Sequence, residues 1–134
     1  TERISKQMAV NAEEVEFVST VDSTFYRQFL QILEENLSES SLSVDDFITR
    51  LGTSRTQLHR KLKAITGLSV SQIVRNVRLQ KGLSMLREGN KSIAEIAYEV
   101  GFSNPSYFTE RFREYYGYPP SEIDKNPIPG PSSS

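Results

Sequence analysis

Ten basic side chains, beginning with Arg50, Arg55 and Arg60 and ending at Lys91, fall within residues 50–91 against a single acid, Glu88. Lysine and arginine at that density suit a polyanion, whose approach follows the local field rather than the charge of the whole chain. The whole chain is nearly neutral, at −1 with a pI near 5.9. That balance hides a segregation. Residues 1–49 hold three basic and ten acidic groups, a net of −7, and residues 50–134 hold thirteen and seven, a net of +6. Solvated helix faces are the plain alternative reading of such a run.

Other chemistries have little to work with. Without cysteine there is no disulfide and no thiolate metal site. The one histidine, His59, makes no cluster, so neither a metal nor another cofactor is expected. No Ser/His/acid set or glycine-rich phosphate loop is visible, and Asp45 and Asp46 read as first-turn charge on a helix. An enzyme is therefore not expected. No apolar run approaches the roughly 18–20 residues of a membrane span, so no membrane contact is expected and the cytoplasm is the default location. The chain opens on Thr1 rather than Met, as expected of a piece of a longer polypeptide.

The elements that position the basic groups read as all-α. Residues 1–22 are polar and acidic, a linker. A helix follows over about 23–37, with Phe25, Phe29, Ile32 and Leu33 on one face. Ser54 with Gln57, Ser69 with Gln72 and Ser92 with Glu95 have capping-box form, and Ser43 with Asp46 is a weaker version. Glycines 52, 67, 89, 101 and 117 mark helix ends. Further helices are thus expected near 43–51, 54–66, 69–88, 92–100, 104–116 and 119–124. The tail 126–134, NPIPGPSSS, should be disordered.

An internal repeat organises these helices. Ser43, Val44, Phe47, Leu51 and Gly52 match Ser92, Ile93, Ile96, Val100 and Gly101 at an offset of 49. Leu58, Leu62, Lys63, Gly67, Ser71 and Ile73 match Phe108, Phe112, Arg113, Gly117, Ser121 and Ile123 at an offset of 50, so the second turn holds one extra residue. Each repeat is a short helix, a tight turn and a longer helix. That is the helix-turn-helix layout, whose second helix enters the major groove. The second helix should bury Leu58, Leu62 and Ile65 in one repeat and Phe108, Phe112 and Tyr115 in the other. The outer faces then present Arg55, Thr56, His59, Arg60 and Lys63, and Asn104, Ser106, Tyr107, Glu110 and Arg113. Arg60 and His59 suit base or phosphate contact, and Lys63 and Arg113 suit phosphate. Glu110 either accepts from cytosine N4 or stands as a solvated acid held off the bases.

Residues 24–124 resemble the DNA-binding domain of the AraC/XylS family. The resemblance rests on GTSRTQLHRKLKAITG, IVRNVRLQKGLSML and above all IAEIAYEVGFSNPSYFTERFREYYGYPPSEI. It implies helix-turn-helix subdomains at 23–68 and 90–125 joined by a rigid linker helix at 69–89. A helix of that length, near 30 Å at about 1.5 Å per residue, would set the two recognition helices in successive major-groove segments. The implied function is sequence-specific transcription regulation, with activation favoured. The implied partners are double-stranded promoter DNA and RNA polymerase. A helical protein-interaction module is the rival. EVEFVSTVDSTFYRQFLQILEENLSE is similar to what precedes this domain in hybrid two-component proteins, implying a parent with histidine kinase activity and an inner-membrane anchor. With no heptad seam in view, the chain alone is expected as a monomer and the parent as a dimer. Three departures from the family stand out: Ile48 and Gly82 where alanine is usual, and Glu110 where a basic or polar groove contact is common. Arg78 matches a position that is more often structural than DNA-contacting.

Overall fold

Helix starts follow local hydrogen bonding. Glu95 N–H donates to Ser92 Oγ (3.1 Å), and Ser92 N–H donates to Glu95 Oε1 (2.9 Å), satisfying two orphan donors at once. Ser69 and Gln72 do the same at 3.2 and 3.0 Å. Asp46 accepts from Ser43 N–H at 2.8 Å. At Ser54 the box is only half closed: Gln57 N–H reaches Ser54 Oγ (3.1 Å), but the Gln57 side chain accepts instead from Arg60 Nη2 at 2.5 Å. A charge-assisted bond within the helix outcompetes the neutral backbone donor.

The computed structural model describes residues 20–125, with side chains from 22 to 123. The expected linker up to residue 19 and the tail 126–134 lie outside the described residues. Six α-helices run in order: α1 Thr20–Glu35, α2 Val44–Leu51, α3 Arg55–Thr66, α4 Val70–Glu88, α5 Ile93–Glu99 and α6 Pro105–Tyr116. A 3-10 helix, η1, spans Pro120–Lys125. No strand occurs among the described residues. The fold is the expected all-α arrangement of about seven helical elements. Helix α1 starts earlier than expected, at Thr20, with Asp22 placed to complement the N-terminal partial charge of its first turn. The last element is 3-10: Glu122 N–H donates to Pro119 O at 3.0 Å, and Glu122 itself leaves helical geometry.

The chain forms two compact units, one of residues up to Asn36 with Ser41–Arg75, the other of Leu37–Ser40 with Asn76 onward. The division falls inside α4. That helix is therefore more than a spacer: Val70 and Ile73 are buried within the first unit's residues, and Leu79 and Leu83 within the second's.

In the first unit α1 packs on α2 and α3, and α2 on α3. Phe25, Phe29 and Leu33 are buried as the periodicity implies, while Ile32 is half-buried. Phe29 stacks on Phe47 with ring centroids 4.4 Å apart. Tyr26, unmarked by the sequence pattern, is also fully buried, and burial pushes its phenol far above the usual range. Helix α3 ends at Thr66, whose hydroxyl donates to Leu62 O (2.8 Å) and accepts from Leu68 N–H (3.0 Å).

In the second unit α5 packs on α6, and α6 on η1. Its core joins Leu79, Leu83, Ile96, Ala97, Val100, Phe102, Phe108, Phe112 and Tyr116. Each large apolar side chain removed from water there contributes about 1.5–3 kcal/mol. The inner face of α6 closes on Tyr116 rather than the expected Tyr115, which is half-buried and accepts a hydrogen bond from Gln80 Nε2 at 2.8 Å. The polar tip keeps Tyr115 at the rim.

Two departures in composition acquire a reason here. A Cβ at Gly82 would lie 2.8 Å from the Phe108 ring, so only glycine admits this close approach. Gly101 has φ +99°, and a Cβ there would collide with Leu37 O and with Arg78, its guanidinium carbon 2.7 Å away. Arg78 is structural, as the resemblance implied. It is buried and donates to Gly101 O (3.1 Å) and Glu39 O (2.9 Å), tying residues 37–40 to the start of the second turn. Ala97 is fully buried, whereas its repeat counterpart Ile48 is half-buried, so the bulk at Ile48 projects partly out of the core.

Candidate nucleic-acid interface

Helix α3 is amphipathic. Leu58, Leu62 and Ile65 lie against the core, which forces the intervening positions outward. Arg55, Thr56, His59, Arg60 and Lys63 are all exposed, and the helix Arg55–Thr66 contains no acid. Its outer face is a strip of positive and hydrogen-bonding groups along about three turns, the form a major-groove reader requires.

Two of these side chains have partners. Arg55 Nη2 pairs with Asp45 Oδ1 at 2.6 Å, joining the start of α3 to α2. Both groups are more than half exposed, so the pair is worth little in stability. Arg60 is braced by Gln57, which holds the guanidinium along the helix. Lys61, by contrast, leans over the Phe25 ring at 4.8 Å and covers core.

Helix α6 repeats the plan with different chemistry. Phe108, Phe112 and Tyr116 face inward, and Asn104, Ser106, Tyr107, Glu110 and Arg113 are exposed. Asn104 is the N-cap: its Oδ1 accepts from Tyr107 N–H at 2.8 Å, leaving its amide NH₂ as the donor available outward. Pro105 follows at the first helical position, where a missing N–H costs nothing. The extra residue of the second turn makes room for Phe102. Phe102 is buried and meets Phe108 edge-on at 5.2 Å and Tyr107 at 5.6 Å.

Tyr107 is therefore held from two sides. Its ring rests against Phe102, and the Arg111 guanidinium lies over it at 5.4 Å while donating to Glu114 Oε2 at 2.8 Å. Arg111 as a support for Tyr107 is invisible in the residue pattern alone. The spacing i to i+4 was the available signal, but it acquires meaning only once Tyr107 is known to be outward.

All ten side chains singled out from the sequence thus stand exposed, five on α3 and five on α6 with its N-cap Asn104. Each set is brought together on one face of its own unit. Among the described residues, no helix is long and apolar enough to cross a membrane.

Comparison with known proteins agrees with this geometry. A family described as "Helix-turn-helix domain" matches residues 47–126, more than half of the chain. The chain is 30% identical over 105 residues to "Histidine kinase P4" of Formosa agariphila, an alignment covering 78% of this chain and 8% of that protein. The chain therefore spans a small part of that curated relative. Among solved structures it is similar to a transcriptional regulator from Chromobacterium violaceum, one of the AraC-type DNA-binding domain-containing proteins. That likeness has a TM-score of 0.73 at 27% identity and covers 82% of this chain and 100% of that one. It also shares its fold with the DNA-binding domain of AdpA, solved in complex with a target DNA. There the TM-score is 0.67 at 23% identity, over 75% of this chain and 95% of that one. The chain belongs to the AraC-type family of helix-turn-helix DNA-binding domains.

Proposed function

We propose that this chain reads promoter DNA as the output unit of a transcription regulator, with α3 and α6 each entering a major-groove segment of double-stranded DNA. The observation that carries this is the exposure of all ten candidate side chains over buried inner faces in both repeats. Arg60, His59 and Arg55 with Thr56 are the base- and phosphate-contacting set of the first motif. Asn104, Ser106, Tyr107, Glu110 and Arg113 are that of the second. Lys63 and Arg113 neutralise phosphate.

The likeness to a protein named as a histidine kinase supports a parent polypeptide in which phosphorylation upstream controls this unit. The sequence carries no long heptad seam; on our reading the chain binds as a monomer and the parent as a dimer, which raises the effective concentration of the second unit. On this reading the unit works in the cytoplasm, with RNA polymerase as its partner at activated promoters and the parent's membrane anchor lying outside this unit.

The test is an anisotropy titration of the chain with labelled duplexes at two salt concentrations. Counterion release should make affinity fall steeply as salt rises. Binding that is absent or insensitive to salt on every duplex would favour a protein-interaction module.

A further inference from the structure

Glu110 and Glu114 are the two acids on the outward arc of α6, whereas α3 carries none. Three acids of the α5–α6 region are engaged: Glu95 caps α5, Glu99 pairs with Lys91 at 3.0 Å and Glu114 with Arg111 at 2.8 Å. Glu110 is exposed and has no hydrogen-bond or ion-pair partner among the described residues. Arg113, three positions on, is spaced to pair with it, yet the two charges stay apart. Both line an open recess of about 500 Å³ on the outer side of α6, with Ser106, Thr109 and Pro119. A carboxylate and a guanidinium left unneutralised beside one recess are two separate recognition groups, one accepting and one donating.

The acceptor has a narrow choice in a major groove. Phosphate oxygens, guanine O6 and N7, and thymine O4 all repel a carboxylate. Adenine offers its N6 amino group, but with the N7 acceptor beside it. Cytosine offers the N4 amino group with no neighbouring acceptor on its edge. We infer that Glu110 is a specificity-determining residue of the second motif, its carboxylate accepting from the exocyclic amino group of a cytosine. The inference rests on the DNA-reading function proposed above. It gives the two motifs different tasks: α3 supplies positive charge, and α6 rejects sequences that lack a cytosine at one place.

The experiment begins with selection of bound sequences from randomised duplexes by the wild-type chain and by Glu110→Ala. The wild type should return one position held as cytosine that Glu110→Ala leaves open. In the selected duplex that cytosine is then replaced by 2-pyrimidinone, which lacks the amino group. Wild-type affinity should fall by roughly five- to 150-fold, the size of one good base contact, while Glu110→Ala should be indifferent to the replacement. Glu110→Asp, which keeps the charge and shortens the reach, should lose most of the discrimination. A Glu110→Ala variant that binds every duplex more tightly by the same factor, with the selected sequence unchanged, would overturn the inference. It would make Glu110 a solvated acid near the backbone and leave the DNA-reading function standing. A wild type that selects no sequence at all would overturn both.

Discussion

The first and second helix-turn-helix units share one backbone plan and load it differently. In the first, the recognition helix packs through aliphatic Leu58, Leu62 and Ile65 and carries basic groups with no acid. In the second, packing is aromatic, through Phe108, Phe112 and Tyr116, and the helix balances Arg111 and Arg113 against Glu110 and Glu114. The turns differ as well. One added residue lets Phe102 fill the second core and brace Tyr107. On the reading proposed above, the repeat keeps one docking geometry while dividing the work, one copy attracting the polyanion and the other filtering it.

The largest expected effect tests the packing contrast. Phe112→Ala should cost about 3–5 kcal/mol, because the ring meets Phe108, Tyr116 and Tyr118 at centroid distances of 5.7, 4.7 and 5.8 Å. Leu62→Ala in the first unit belongs to the range of about 2–5 kcal/mol. Urea denaturation of both variants would check this, and a milder loss for Phe112→Ala would mean that the aromatic core can collapse into the gap. Gly82→Ala should lower stability by about 1–2 kcal/mol, since crowding against Phe108 outweighs the gain in helix propensity. A rise in stability would show that the Phe108 ring moves aside freely.

The binding contrast predicts smaller and more selective changes. Arg60→Ala should weaken the preferred duplex by about 1–3 kcal/mol and relax one base position. Lys63→Ala and Arg113→Ala should weaken all duplexes and reduce the salt slope by about one each. An equal loss on every duplex for Arg60→Ala would reassign that side chain to phosphate.

The smallest effect is on pH dependence. Burial pushes the phenols of Tyr115, Tyr116 and Tyr118 upward in the second unit, and that of Tyr26 in the first. Unfolded tyrosine ionises near 10, so the folded state holds these protons longer. Their contribution is intact below that pH and is lost as pH rises through and beyond it. Denaturation midpoints at about pH 8 and about pH 10.5 should fall with alkalinity, less so in Tyr116→Phe. An unchanged midpoint would mean that the phenols ionise without unfolding.

Much of this was legible in the residues. Glycine stops and serine caps mark helix ends because they satisfy backbone groups locally, and the 49- and 50-residue offsets expose the repeat. The outward positions of α3 and α6 follow from helical period once Leu58 and Phe108 are taken as inner. What escaped depends on contacts distant in sequence. Tyr26 lies beside an apolar stripe that was already sufficient, and its burial is set by the packing of α2 and α3. The capture of residues 37–40 by Arg78 spans 39 positions to Glu39, and no local pattern encodes it. The support of Tyr107 needed Phe102 to be placed first.

On the proposed reading both recognition helices engage DNA and their outer faces differ in task. Hydroxyl-radical footprinting of the chain on a selected duplex tests it most directly, with wild type, Arg60→Ala/Lys63→Ala and Glu110→Ala/Arg113→Ala compared. Two separate protected segments are predicted, the first pair of substitutions weakening one and the second pair the other. A single protected segment, lost with the first pair and untouched by the second, would overturn that reading and leave α6 without a role on DNA.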